Sequence, residues 1–101
     1  MACDYAILSE AQVEIESIVS YLVSVAGGSS AARAFMDEFD KKIALACDNP
    51  MLYGLSRMPE VAALGYRVFF VKSYVVLYFF RDDRIYVAHV FHQRQDYARL
   101  V

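Results

Sequence analysis

The fold is decided by residues 65–91, which read GYRVFFVKSYVVLYFFRDDRIYVAHVF. Three segments of this run are rich in β-branched and aromatic residues, which favour strands. The predicted strands are Gly65–Val71, Tyr74–Phe80 and Arg84–Phe91. The polar breaks between them, Lys72-Ser73 and Arg81-Asp82-Asp83, are short enough for hairpin turns, so the sequence predicts three consecutive antiparallel strands.

A short strand and a helix are predicted before this run. Asp4–Leu8 reads as a first strand, and Ser9 with Gln12 three residues later forms a capping-box pattern that opens many helices. Apolar residues then recur at helical spacing, at Ala11, Ile15, Ile18, Leu22 and Val25. We expect Gly27-Gly28 to end this helix, because glycine readily adopts the left-handed conformation found there.

A second amphipathic helix is predicted from Ser29 or Ser30 to Asn49-Pro50. Its apolar stripe consists of Ala32, Phe35, Phe39, Ile43 and Ala46. The short connection predicts an antiparallel helical hairpin, and residues 51–64 are expected to form a loop. The element order is β-α-α-β-β-β. It predicts one α+β domain over residues 1–101, with the hairpin packed on a small, mainly antiparallel sheet that the first strand joins at an edge.

The composition indicates a sheet with more apolar surface than two helices can cover. Hydrophobic residues make up 58% of the chain, and it contains eight Tyr and seven Phe. A surface left uncovered would be open to a partner protein. The formal net charge is −2, so the chain lacks the overall basic excess typical of nucleic-acid-binding proteins.

The remaining sequence features favour a cytoplasmic protein without metal or cofactor. The two cysteines, Cys3 and Cys47, are expected to be reduced thiols. No Cys/His spacing fits a zinc site. No apolar run reaches the ~20 residues that span a membrane, and the start of the chain lacks a signal-peptide pattern.

Several segments, taken in order, carry a resemblance to a known family. They are Tyr5–Ala11, Ile18 with Tyr21-Leu22, Asp48-Asn49-Pro50, Gly65-Tyr66-Arg67, Tyr74–Tyr78 and His92–Tyr97. The set resembles the RelE/ParE toxin superfamily of type II toxin–antitoxin systems over nearly the whole chain. The resemblance implies a role in growth inhibition or plasmid stabilisation, and a cognate antitoxin whose C-terminal segment wraps the toxin.

The superfamily also implies two alternative activities. RelE-like members cut mRNA in the ribosome without a metal ion. For that activity Arg67, His92 and Tyr97 are the candidate catalytic residues, and Arg57 and Arg94 are the candidate phosphate-binding residues. RNA cleavage requires acid–base groups and cations at one place. Arg67 and His92 would meet if their strands were neighbours and both faced the open side of the sheet. Ordinary structural explanations also exist for Arg67, His92, Arg94 and Tyr97.

Three features bring the chain closer to ParE-like members, which inhibit DNA gyrase by protein–protein binding. Val75 stands where RelE-like members often carry an arginine, the net charge is acidic, and the ending with His92, Arg94, Asp96 and Leu100 resembles ParE-like endings. A gyrase inhibitor of this kind would use surface residues of the two helices and the tail, and no catalytic residue. Whether the chain is an enzyme therefore stays open. The expected partners are the antitoxin with either gyrase or the ribosome and mRNA, in a homodimer or a toxin–antitoxin hetero-oligomer.

Five aromatic residues of the predicted sheet are the candidate antitoxin-binding surface. They are Tyr66, Phe70, Tyr78, Phe80 and Tyr86. A disordered antitoxin segment would cover them by adding a strand or laying a helix across the sheet. The alternative is that these side chains pack the core or form a homodimer.

Overall fold

The structure, a computed structural model, describes residues 4–25 and 28–95. Its elements are β1 (Tyr5–Ile7), α1 (Ser9–Ser24), α2 (Ser29–Asp48), α3 (Pro59–Ala62), β2 (Arg67–Val71), β3 (Tyr74–Arg81) and β4 (Arg84–His92). The four strands form one sheet in the order β1-β4-β3-β2. The predicted α+β fold, with a helical hairpin on a mainly antiparallel sheet, is confirmed.

Tight turns join the three long strands as predicted. Asp82 and Asp83 connect β3 to β4 and both have positive φ, 53° and 61°. This is the backbone that a two-residue type I′ hairpin turn requires, and aspartate tolerates it better than most residues. β1 runs parallel to β4 at the sheet edge, which also agrees with the prediction.

The helical hairpin covers one face of the sheet. All five residues of the predicted α2 stripe are buried, and Phe35, Phe39 and Ile43 are at most 2% exposed. Burying each such side chain contributes about 1.5–3 kcal/mol, so this stripe anchors the hairpin. The α1 stripe is less completely buried. Its last residue, Val25, is 67% exposed, because α1 ends at Ser24.

The helix starts differ from the predicted capping. Ser9 is the first residue of α1, Leu8 occupies the cap position, and no side chain caps the helix. The capping-box prediction for Ser9 and Gln12 is therefore wrong. α2 follows Gly28, whose φ of 74° favours glycine at that position.

The other face of the sheet has a smaller core of its own. Residues 51–64 were predicted to be a loop, but they include α3, which starts at Pro59. Val61 of α3 is fully buried and packs in one cluster with Val75, Leu77 and Phe91. α3 therefore covers part of the face that the hairpin leaves open.

Main-chain and side-chain groups close the outer edge of β2. The amide of Val68 donates to Gly54 O at 3.1 Å. Farther along the edge, Lys42 Nζ donates to Phe70 O, and the Lys72 amide donates to Glu38 Oε2 at 3.4 Å. Covering a strand edge in this way protects it from pairing with other chains.

Two further findings concern the expected environment of the protein. Cys47, near the end of α2, is disulfide-bonded, so the expectation of a free thiol is wrong at this position. Cys3 lies outside the described residues. Among the helices that the structure describes, none is long and apolar enough to cross a membrane.

Candidate functional site

Arg67 is held at one end of the sheet by the main chain. Its guanidinium Nη1 donates to Tyr53 O at 2.8 Å, and the side chain is partly buried. Tyr53 itself packs on Phe69, with ring centroids 5.1 Å apart. These contacts give Arg67 a structural role in fixing the segment before α3 to β2.

His92 lies at the end of β4, in a different environment. Its ring packs edge-on against Tyr74 at 5.3 Å, and its Nδ1 accepts a hydrogen bond from the Arg94 amide at 3.1 Å. The side chain is partly exposed. His92 therefore shapes the strand end and the turn that follows it.

The structure does not bring Arg67 and His92 together. β3 lies between their strands; Arg67 is opposite Tyr78 on it and His92 is opposite Tyr74. With roughly 4.8 Å between strands and about 3.4 Å per residue, the two backbone positions differ by roughly 10 Å across the sheet and about 14 Å along it. These two residues could form one catalytic site only on neighbouring strands, and their strands are not neighbours.

The two candidate phosphate-binding residues lie beside different strands. Arg57 is exposed and lines a groove of about 570 Å³ beside β2, together with Leu55, Met58 and Phe70. Arg94 is exposed in the turn after β4. Tyr97, the third candidate catalytic residue, lies outside the described residues. No group of three potential metal ligands occurs in residues 4–25 and 28–95.

An aromatic row crosses the sheet on the face away from the hairpin. The rings of Tyr66 and Phe79 are 6.2 Å apart, and those of Phe79 and Tyr86 stack at 5.0 Å. Arginine side chains lie at one end: Arg81 is 5.1 Å from the Phe79 ring and Arg84 is 5.9 Å from the Tyr86 ring. Tyrosine, phenylalanine and arginine are enriched at protein interfaces, so this row is a candidate partner-binding surface.

The five aromatic residues predicted for antitoxin binding do not share one surface. Tyr66 and Tyr86 belong to the aromatic row and are partly exposed. Phe70 is 46% exposed beside the β2 groove, and Phe80 is 38% exposed. Phe79, at the centre of the row, is not among the five predicted residues, because an all-apolar strand gives no signal of which face each residue occupies.

Of the five predicted surface residues, Tyr78 is the one that is not exposed at all. It is fully buried in the core under the hairpin, with its hydroxyl donating to Pro50 O at 3.2 Å. Burial raises the pKa of its phenol to about 12, because the charged form is disfavoured away from water. Tyr78 is therefore a core residue and not part of an exposed surface.

A solved structure with the same architecture comes from a toxin–antitoxin system. The chain is similar to one described as "Chromosomal ParDE TA system from P. aeruginosa", with a TM-score of 0.68 and 15% sequence identity over 89% of this chain and 95% of that chain. At this identity the likeness shows the fold. The helical hairpin and four-stranded sheet thus define the chain as a small α+β protein with the fold of that structure.

The family follows from the sequence itself. The family model for the "ParE toxin of type II toxin-antitoxin system, parDE" matches residues 5–97. The chain therefore belongs to the ParE toxin family, the ParE-like side of the RelE/ParE superfamily. No curated protein sequence matches the chain.

Proposed function

We propose that this toxin inhibits DNA gyrase by protein–protein binding and does not cleave RNA. The observation that carries the proposal is the separation of Arg67 from His92, with β3 between their strands. RNA cleavage needs an acid–base group and a phosphate-binding cation within hydrogen-bonding reach of the same phosphate. Membership of the ParE family supports the same target.

Exposed apolar side chains on the helices supply the kind of surface that such binding needs. Val13, Tyr21 and Val23 on α1 are between 48% and 65% exposed, and Leu45 on α2 is 45% exposed. Large apolar side chains left in water are typical of surfaces that bind another protein. We assign the gyrase contact to the helical hairpin, as the family resemblance implies.

A cognate antitoxin is the second proposed partner, and its site is the aromatic row. Tyr66, Phe79 and Tyr86 form a continuous row of ring contacts, and Phe70 adds a 46% exposed aromatic side chain near the other end of β2. Binding there would lie on the sheet face opposite the hairpin. The antitoxin and the target would then contact different faces, in a toxin–antitoxin hetero-oligomer.

The experiment is expression of the chain alone in bacterial cells, followed within minutes by mapping of mRNA ends and of gyrase-linked DNA breaks. We expect double-strand breaks trapped with gyrase and intact mRNA. Purified toxin should likewise inhibit supercoiling by purified gyrase. Translation-dependent cuts in mRNA without DNA breaks would overturn the proposal in favour of ribosome-dependent RNA cleavage.

We propose a cytoplasmic location, because gyrase is found there. The disulfide at Cys47 is unusual for a reducing compartment. Alkylation of intact cells before lysis would test the location through the thiol state of Cys47. A Cys47 labelled without prior reduction fits the cytoplasm, whereas one labelled only after reduction would argue for an oxidising compartment.

A further inference from the structure

The edge of β4 is only partly covered by β1. β1 pairs with Ile85, Tyr86 and Val87, and the Leu8 amide donates to Val87 O at 2.9 Å as the last bond of this ladder. β4 continues to His92. The outer edge of its last residues therefore extends beyond the end of β1.

Two side chains of the toxin itself satisfy the amides on this open edge. Glu14 Oε1 accepts the Val90 amide at 2.8 Å, and Gln95 Oε1 accepts the His92 amide at 2.8 Å. The other carboxylate oxygen of Glu14 is 3.2 Å from His89 Nδ1. Side-chain oxygens thus occupy the positions that main-chain carbonyls of a neighbouring strand would take.

A groove lies along this edge, between α1 and β4. It has a volume of about 500 Å³, and α1 lines it with Glu10, Val13, Glu14, Ser17 and Ile18. Val13 is 65% exposed at this groove, whose lining mixes polar and apolar side chains. Among the described lining residues there are two carboxylates and neither lysine nor arginine, so the groove is acidic.

We propose that the α1–β4 groove binds an extended segment of a partner protein that pairs with β4 as an added strand and carries basic side chains at alternate positions. A main-chain carbonyl of the segment would accept the Val90 amide and release Glu14. The released carboxylate would then pair with a lysine or arginine of the segment. Adding a strand to an open sheet edge is a common mode of peptide recognition.

The spacing of the two carboxylates supports the alternation. Glu10 and Glu14 are one helical turn apart, roughly 6 Å along the axis. Side chains two residues apart in a strand are separated by roughly 6.8 Å and lie on the same face. Two basic side chains at alternate positions would therefore meet the two carboxylates, and the residues between them would face the opposite side, towards Phe91.

The acidic lining also excludes a second copy of this chain as the occupant. Two copies joined edge to edge would bring Glu10 and Glu14 of each protomer together, and like charges across an interface are unfavourable. The proposal is independent of gyrase, because it concerns only the chemistry of the segment that binds.

The test uses NMR titration of the isotope-labelled full-length toxin with two eight-residue peptides, one alternating Lys and Val and the other alternating Glu and Val. We expect the Lys–Val peptide to shift the amide signals of Val90 and His92, and to bind about tenfold more tightly than the Glu–Val peptide, consistent with two exposed ion pairs. Binding should weaken as salt is added.

Two variants with the same charge change sharpen the test. Glu10 lines the groove and Glu16, on the same helix, does not. Glu10→Lys should weaken Lys–Val binding several-fold and improve Glu–Val binding, whereas Glu16→Lys should change both much less. The proposal is wrong if the Lys–Val peptide fails to bind at millimolar concentration, if the two variants behave alike, or if the shifts appear at Phe70 on the β2 edge instead.

Discussion

Arg67 and His92 lie on opposite sides of β3 and are offset by four residues along it. Neither side chain is free of structural contacts, since Arg67 bonds to Tyr53 O and His92 accepts the Arg94 amide. An enzyme that used both would have to rearrange its sheet order. This offset is the main physical reason for proposing the ParE-type protein–protein mechanism.

Substitution of these two residues should not abolish toxicity. We expect His92→Ala to keep growth inhibition within a few-fold of the wild type. Arg67→Ala should lower the free energy of unfolding by about 1.5–3 kcal/mol, because it removes a hydrogen bond from a charged group to Tyr53 O. Its toxicity should persist at a temperature at which it remains folded. Growth after induction and urea unfolding are the measurements.

Loss of toxicity in both folded variants would contradict the proposed function. If both variants were folded and each lost toxicity by two orders of magnitude or more, an acid–base mechanism would be indicated. The assignment to gyrase inhibition would then be wrong.

The aromatic row should carry much of the antitoxin affinity. Phe79→Ala or Tyr86→Ala removes a ring from a stacked pair whose centroids are 5.0 Å apart. Aromatic residues at interface centres commonly contribute about 2 kcal/mol or more, so we expect the Kd for the antitoxin to rise at least about tenfold. Isothermal titration calorimetry with the cognate antitoxin measures this change.

Tyr5→Ala is the matched control for that prediction. Tyr5 is 39% exposed on β1 and has no ring contact with the row among the described residues. Its substitution should leave the Kd unchanged within about twofold. Equal losses in all three variants would show that the antitoxin binds elsewhere or that exposed aromatics are interchangeable.

The sequence predicts the secondary structure well where a pattern is continuous. The α2 stripe from Ala32 to Ala46 follows helical spacing without interruption, and all of it is buried. The α1 stripe fails at Val25, because the helix stops one residue earlier. α3 is not predicted, because a helix of four residues spans only about one turn and so shows no recurring apolar pattern.

The site is harder to predict than the fold. The two predicted hairpin turns imply that β3 lies between the strands of Arg67 and His92, but the register that offsets these residues by four positions has no local sequence pattern. The register shift between Leu77 and Tyr78 breaks the alternation of faces in the hairpin of β3 and β4. The bond from the Val90 amide to Glu14 joins residues 76 positions apart and has no sequence signature.

Glu38 should stabilise the β2 edge at neutral pH but not in acid. Its carboxylate is 3.2 Å from Lys42 Nζ and 3.4 Å from Lys72 Nζ. The hydrogen bond from Lys42 is the main cause that lowers the pKa of Glu38 below 4.5. A pKa that is lower in the folded than in the unfolded state stabilises the fold at pH values above the unfolded-state pKa. This stabilisation is lost as the pH falls through the folded-state pKa.

Glu38→Gln should therefore be less stable than the wild type by up to about 1 kcal/mol at pH 7, as expected for partly exposed ion pairs. The difference should disappear in acid, below the lowered pKa. Urea midpoints at both pH values measure it. Asp40→Asn makes the same charge change on the same helix at an exposed position and should show little effect; an equal loss there would indicate a general charge effect.

The buried phenol of Tyr78 should make the protein sensitive to alkali. Its pKa is raised to about 12 by burial, from 10.0. The folded state therefore keeps a proton between these pH values that the unfolded state releases. This contribution to stability is complete below pH 10 and is lost as pH rises towards about 12. A shift of this size corresponds to roughly 2–3 kcal/mol.

Tyr78→Phe separates this effect from the hydrogen bond. At pH 7 the variant loses the bond to Pro50 O and should be less stable by about 0.5–1.5 kcal/mol. Between pH 10 and about 12 the stability of the wild type should fall more steeply, and because its loss of roughly 2–3 kcal/mol exceeds the difference at pH 7, the two curves should meet and cross. Tyr74, whose pKa is also raised by burial, is present in both proteins and cancels in the comparison. Parallel curves over this range would show that Tyr78 ionises as easily in the folded as in the unfolded chain, and that it is not sealed beneath the hairpin.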